Sequence, residues 1–509
     1  MPNHFFSQNG LSACCTDTSI TLFWDKPAAA GAAETYTVLL DDAVAAHTEK
    51  THCTLEALRP ETAYSLFVQW RSGSIGELTV RTTPTKHRLN VTAAPYFAVG
   101  DGETMNTAAL QKAIDDCGEQ EAVYLPAGIY RTGALRLHSN MEIFLEEGAV
   151  LQGTAIPEDY LPRIPSRFEG IEMECYSSLL NLGTLDHTAG PNCENVILRG
   201  KGTIASGGKL LAERIIASER EQLKEYLDQN AELVSTCENA DTIPGRVRSR
   251  LVNMSNCRNI WMEGLTFANG ASWNLHMIYS DRIVTDYCTI RSDGVWNGDG
   301  WDPDSATNCT LFACEFFTGD DAVAIKSGKN PEGNLINRPT KHIRVFDCHS
   351  GFGHGICIGS EMSGGVEDVK IWDCDMAVST SGLEVKATKK RGGYVRNVEV
   401  RDCTLSHVMV HAVGYNDDGI GAPVPPVLED FRYERVTLLG RYIDHDHVWH
   451  TCPAIELKGF DLPSHEVRNI HFKDVVLEDN RGPEQNILMQ DCLNVSFENV
   501  TVRPGVQPG

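Results

Sequence analysis

The chain has 509 residues, 42% of them hydrophobic, and a formal charge of −25. That length allows two or more domains around a large core, and the negative charge argues against nucleic acid or another polyanion held by bulk electrostatics. No run of about 18 apolar residues exists, so no membrane-spanning helix is expected. The seventeen cysteines, with no CxxC pair among them, read as reduced, buried thiols rather than as a disulfide framework or a zinc site.

The opening MPNHFFSQNGLSACC has neither a basic start nor an apolar stretch, so it reads as no secretory signal, and a cytoplasmic protein is expected. Across residues 1–88 the segments ITLFWDKP, ETYTVLLDD, HCTLEAL and AYSLFVQWRSG alternate in polarity between turn residues, the pattern of a small β-sandwich. Leu58-Arg-Pro-Glu-Thr-Ala-Tyr64 resembles the corner before a late strand in fibronectin type III domains, with Trp24 in the core. No chemical constellation occurs here, so a packing or spacer module is expected, joined through RTTPTKHR (81–88) to the larger C-terminal part of the chain.

Residues 89–509 repeat. NIWMEGL, RIVTDYC, CTLFAC, HIRVFDC, DVKIWDC, NVEVRDC, FRYERV, NIHFKDV and NVSFENV end at Leu265, Cys288, Cys314, Cys348, Cys374, Cys403, Val436, Val475 and Val500, spaced 23 to 39 residues apart. Short strands at this period without intervening helices imply an all-β fold, a right-handed parallel β-helix. Its five aligned cysteines form a stack of small inward-facing side chains, and GDGETMNTAALQKAIDDC (100–117) forms a capping helix with Leu110 and Ile114 on its buried face.

A second alignment concerns chemistry. DGWDPDS, DAVAIKS, HGICIGS and SGLEVKA end at Ser305, Ser327, Ser360 and Ala387, and six residues earlier stand Asp299, Asp321, His354 and Ser381. Equivalent positions on neighbouring coils stack about 4.8 Å apart, so Asp299, Asp321 and His354 line one ridge, with Asp320 beside Asp321. Gly-Asp-Asp alone is ordinary turn chemistry. Stacked carboxylates repel and would destabilise an inert solenoid, which favours a catalytic cluster. Glycoside hydrolysis needs such a cluster: one carboxyl protonated for the leaving oxygen, another ionised to activate water. Residues 386–391, Lys-Ala-Thr-Lys-Lys-Arg, read either as a cluster for an anionic substrate or as a solvated basic loop.

These motifs resemble glycoside hydrolase family 28, the polygalacturonases and their relatives: Asn297-Gly-Asp299 for the family's Asn-Thr-Asp, then Gly319-Asp320-Asp321 and Gly353-His354-Gly355. RSRLVNMSNCRNIWMEGLTFANGASWNLH (248–276) resembles its bacterial, often exo-acting branch. The resemblance implies metal-independent, inverting hydrolysis of pectic glycans without a cofactor. Asp320 would be the general acid, Asp299 and Asp321 would position and deprotonate water, and His354 would hold the acid's proton state. The family's Arg-x-Lys carboxylate clamp falls on Glu384-Val385-Lys386. Lys386 matches, but a glutamate repels a uronate. Either Arg391 or another residue takes over, or the sugar there is not galacturonate and Glu384 pairs with Lys386. Tyr415 matches a ring-contacting tyrosine, or packs. Pectate-lyase-like β-elimination and a non-catalytic carbohydrate-binding β-helix are the alternatives. The N-terminal domain, residues 213–234 and residues 327–339 are expected to wall off one end of the groove for exo action on pectin-derived oligosaccharides of galacturonide or rhamnogalacturonan type.

Overall fold

A computed structural model describes residues 4–505 other than 9, 236, 238, 293, 481 and 482. Three parallel sheets of 13, 13 and 11 strands run the length of a right-handed β-helix. All nine strands picked out by the repeat fall in one of the 13-stranded sheets. One coil visits the sheets in order, as in Asp281–Asp286, Thr289–Arg291 and Trp301–Asp304 before the next coil begins at Thr307.

The repeat's leading polar residue has a backbone cause. Asn259, Arg282, Asn308, His342, Asp368, Asn397, Asp430, Asn469 and Asn494 all adopt φ between 54° and 62°, a left-handed conformation that Asn and Asp tolerate better than other side chains. Just before each rung's last residue lies a second left-handed position, for example Ala313, Asp347, Asp373 and Asp402 at φ 51° to 55°. It turns the chain into the next sheet, and the residue after it points inward. Cys288, Cys314, Cys348, Cys374 and Cys403 therefore stack buried and unpaired.

The capping helix is shorter than expected. It spans Thr107–Asp115 with Leu110, Ala113 and Ile114 buried, and Asp101–Met105 ahead of it is a strand. Gly102 sits at φ 77°, a left-handed conformation that a right-handed helical turn cannot include.

The described residues from Phe5 to Arg81 form two four-stranded antiparallel sheets around their own core, which includes Trp24. The backbone N–H of Arg59 donates to the Tyr64 hydroxyl at 2.9 Å, closing the expected corner. This sandwich does not border the groove. It packs on the sheet that carries the repeat, where Phe23 and Cys14 meet a stack of Trp261, Phe312, Phe346 and Trp372. The rings of Phe346 and Trp372 lie 4.3 Å apart and nearly parallel. Lys26 reaches Asp373 at 2.6 Å and Asp402 at 2.8 Å, and Trp372 donates to Thr51 at 2.8 Å. The sandwich is thus locked to a face remote from the acidic ridge, and the expectation that it walls the groove is corrected.

Candidate active site

The ridge forms where the chain enters the 11-stranded sheet. Trp301 pairs with Val323, Val323 with Ile356, and Ile356 with Leu383, so Asp299, Asp321, His354 and Ser381 are in register as expected. Backbone bonds run along it: Gly300 N–H to Asp321 O at 2.9 Å, His354 N–H to Asp320 O at 2.9 Å and Ser381 N–H to His354 O at 3.0 Å. Close approach explains the glycines around His354. At Gly353, with φ 129°, a Cβ would fall 2.1 Å from the Thr318 hydroxyl, and at Gly355, with φ 94°, 2.4 Å from Gly382 O.

Asp320 is the accessible carboxyl. Its side chain is 22% exposed, whereas those of Asp299 and Asp321 are each 3% exposed. His354 Nδ1 lies 2.8 Å from Asp320 Oδ1 and 3.2 Å from Asp321 Oδ1. Lys386 Nζ spans both oxygens of Asp321 at 3.1 and 3.2 Å. Beneath them Lys326 Nζ lies 3.0 Å from Asp299, 3.6 Å from Glu361 and 3.7 Å from Asp302.

The electrostatics follow from these contacts. Burial would lower the His354 imidazole, but the Asp320 and Asp321 carboxylates lift it to about 10. Burial would raise Asp320 and Asp321; His354 holds the first below the usual carboxylate range, and Lys386 and His354 hold the second well below it. Asp299 goes the other way: burial raises it to about 7 against the pull of Lys326, and burial with the Asp299 charge raises Asp302 beside it well above the usual carboxylate range. The carboxyl lifted into the neutral range is therefore Asp299, while Asp320 is held ionised one hydrogen bond from the protonated His354.

Two cavities meet at the ridge. The larger, about 1150 Å³, is lined by Asp320, His354, Glu384, Lys386, Tyr415 and His445. A smaller one of about 100 Å³ touches Asp299, Asp320, Asp321 and Lys326, room enough for water. The ligand atoms of Asp320, Asp321 and His354 lie within 4.8 Å of one another, as one cation would need. Here Lys386 and the His354 proton already meet that charge.

The model of glycosyl hydrolases family 28 matches residues 183–417. That stretch carries the acidic ridge and the strand Leu383–Ala387. The chain is 32% identical over 326 residues to a probable polygalacturonase of Vitis vinifera, covering 61% of this chain and only 59% of that relative. It is 27% identical over 413 residues to an exo-poly-alpha-D-galacturonosidase of Dickeya chrysanthemi, covering 76% of this chain and 67% of that protein. Among solved structures, a Yersinia enterocolitica family 28 exopolygalacturonase superposes with a TM-score of 0.78 at 23% identity, over 97% of this chain and 95% of that one. A Thermotoga maritima exopolygalacturonase does so with a TM-score of 0.65 at 26% identity, over 82% and 92%.

The remaining sequence candidates divide. Glu384 and Lys386 share the outward face of the strand Leu383–Ala387, as period two requires, yet they do not form the expected ion pair. Lys386 is drawn to Asp321, and Glu384 Oε1 accepts from His411 Nε2 at 2.8 Å and from the Tyr415 hydroxyl at 3.0 Å. Burial would raise Glu384, but His411 and Lys386 bring it down to about 2. His411 also meets Glu456 at 2.9 Å. Arg391 does not serve as the replacement clamp. It is fully buried, donating to Ser360 O at 3.0 Å, Asn330 Oδ1 at 2.6 Å and Asn416 O at 2.5 Å, and so ties three loops together.

Sequence reasoning passed over Lys326, His411 and His445. Lys326 was visible, since it occupies the column of Asp304, Gly359 and Lys386 in the same alignment. His445 was marked only by the widest gap in the repeat, Val436 to Val475, which holds the hairpin Arg441–Ile443 with Trp449–Thr451. Its Nε2 lies 3.0 Å from His354 Nε2 and accepts from the imidazolium. His445→Ala is expected to lower the His354 pKa, because the charged ring loses an acceptor. Imidazole ¹⁵N NMR across pH measures it, and an unmoved His354 titration would show that this hydrogen bond does not hold the proton.

Proposed function

We propose that this protein is an exo-acting, inverting glycoside hydrolase that trims pectin-derived oligosaccharides. The observation that carries the reading is Asp320: the one accessible carboxyl of the ridge, facing a large cavity with a protonated His354 at 2.8 Å. Sugar binding that disturbs the His354 contact hands that proton to Asp320, which passes it to the leaving oxygen as general acid. On the other side, the small chamber holds the attacking water. Asp321, drawn well below the usual range, is a weak base and orients that water. Asp299, at about 7, is the better proton acceptor once ionised. Asp299 borders only the small chamber, whereas Asp320 reaches from it into the large cavity, which suits a water placed between them and inversion at the anomeric carbon.

Exo action is supported by how the cavity is walled. The helical insertion begun by Gly208–Gln222 brings Leu233 and Thr242 to its rim; Lys329 and Asn330, the loop at residues 414–419 and the hairpin bearing His445 supply the other sides. The exopolygalacturonase names among the relatives point the same way. A reducing, cytoplasmic setting fits the buried column of Cys288, Cys314, Cys348, Cys374 and Cys403.

The test is a panel of homogalacturonan, rhamnogalacturonan and xylogalacturonan oligomers, with products identified by mass and the first anomer by proton NMR. Stepwise release of a terminal unit with inverted configuration is expected. A product carrying a new double bond, a retained anomer, or no cleavage of any oligomer would overturn the reading.

A further inference from the structure

Residues 386–391 bear four cations, and the fold gives them four different fates. Lys386 is bound to Asp321, Arg391 is buried among loops, and Lys389 is exposed outside the cavity. Lys390 is half-buried and lines the large cavity. The other lysines and arginines of that cavity are paired: Arg246 with Glu169 at 2.9 Å, Lys329 with Asp418 at 2.8 Å, and Lys386 with Asp321 at 3.1 Å. Lys390 is the exception among the described residues, with no carboxylate in ion-pair range.

The rest of Lys390 is held. Its backbone N–H donates to Asp417 Oδ1 at 2.8 Å and its carbonyl accepts from Ala422 N–H at 2.9 Å. The stem lies against Gly421, where an added Cβ would come 3.1 Å from Lys390 Cγ. An anchored stem leaves only the ammonium free to meet a ligand, so little freedom is lost when it binds. An unpaired, partly desolvated cation among satisfied ones marks the place for an anion brought by the ligand.

We propose that Lys390 is the specificity-determining residue that receives the ionised carboxylate of a uronic acid unit in the substrate. This deepens the hydrolase reading and rests on it. The two recognition surfaces are then separate. Lys390 takes the carboxylate, and Glu384, held by His411 and Tyr415, accepts from sugar hydroxyls where a uronate would be repelled. The substrate class is a glycan with a free uronate at one subsite and an uncharged face at another.

The experiment compares Lys390→Met and Lys390→Arg with the parent on a galacturonide oligomer and its methyl ester. For Lys390→Met, KM for the free acid is expected to rise about tenfold, with kcat within twofold and the methyl ester unaffected. Lys390→Arg is expected to keep the preference, and the salt dependence of KM to flatten in Lys390→Met. Equal change for both oligomers, or none for either, overturns the proposal. Calorimetric binding of the same pair to Asp320→Asn separates the two readings. Carboxylate-dependent binding lost with Lys390→Met, without turnover by the parent, removes the hydrolase reading and keeps Lys390. Turnover by the parent with binding indifferent to Lys390 does the reverse.

Discussion

Asp320→Asn is expected to lower kcat by about 100-fold or more, the usual worth of a positioned proton donor, while leaving the fold intact. The amide is nearly the same size, and its oxygen can still accept from the Asp321 N–H and from His354, which lie 2.9 and 2.8 Å from Asp320 Oδ1. What it cannot do is take the His354 proton and pass it on. The His354 pKa should fall with the same change, since Asp320 is the leading partner lifting it. Asp321→Asn is expected to cost similar activity and, in addition, thermal stability, because Lys386 and His354 both lose their shared counter-charge in a buried place. Steady-state kinetics with melting curves distinguish the two. Near-parent turnover by folded Asp320→Asn would remove it as the acid.

Glu384→Arg, which restores the family's residue, is expected to abolish activity rather than improve it. The guanidinium would stand beside Lys386 and His411 and would face the Tyr415 hydroxyl, which now donates to Glu384. Burial would lower His411, yet Glu384 and Glu456 raise it to about 9. Removing Glu384 therefore breaks a buried ion pair and adds a like charge, a change that costs about 3–5 kcal/mol. Glu384→Gln, which keeps an acceptor for Tyr415, should be milder. The pH dependence follows from the raised His411 value. Its contribution in the parent is complete below its ordinary 6.5 and is lost as pH rises through about 9, so the stability gap between parent and Glu384→Gln should narrow above that pH. Melting temperatures across pH and activity on polygalacturonate provide the check. A variant with the parent's melting point and faster hydrolysis of polygalacturonate would refute this account of Glu384.

The distance between sequence and site is clearest in residues 384–391. Strand alternation placed Glu384 and Lys386 on one face, correctly, but distance along the strand did not determine their partners. Lys386 finds Asp321 two coils away, and Glu384 finds His411 on the next coil and Tyr415 from a loop. Arg391 looked like a spare clamp because its position in sequence says nothing about three carbonyl and amide acceptors arriving from residues 330, 360 and 416. The N-terminal sandwich was legible as a unit from its own alternation. Its docking face was not, because that depends on aromatic residues presented together only after the coils stack.

By itself the sequence determined the coil, the buried cysteine column and the ridge of Asp299, Asp321 and His354. Each of these is set by local rules, the period of two along a strand and backbone hydrogen bonds that lock one coil in register with the next. Only the tertiary structure decided which charge meets which, where the proton rests, and which lysine is left unpaired in the cavity. Those outcomes depend on burial and on through-space distances between loops of unequal length. In a low-dielectric groove, a shift of one ångström or one loop changes which ion wins a partner.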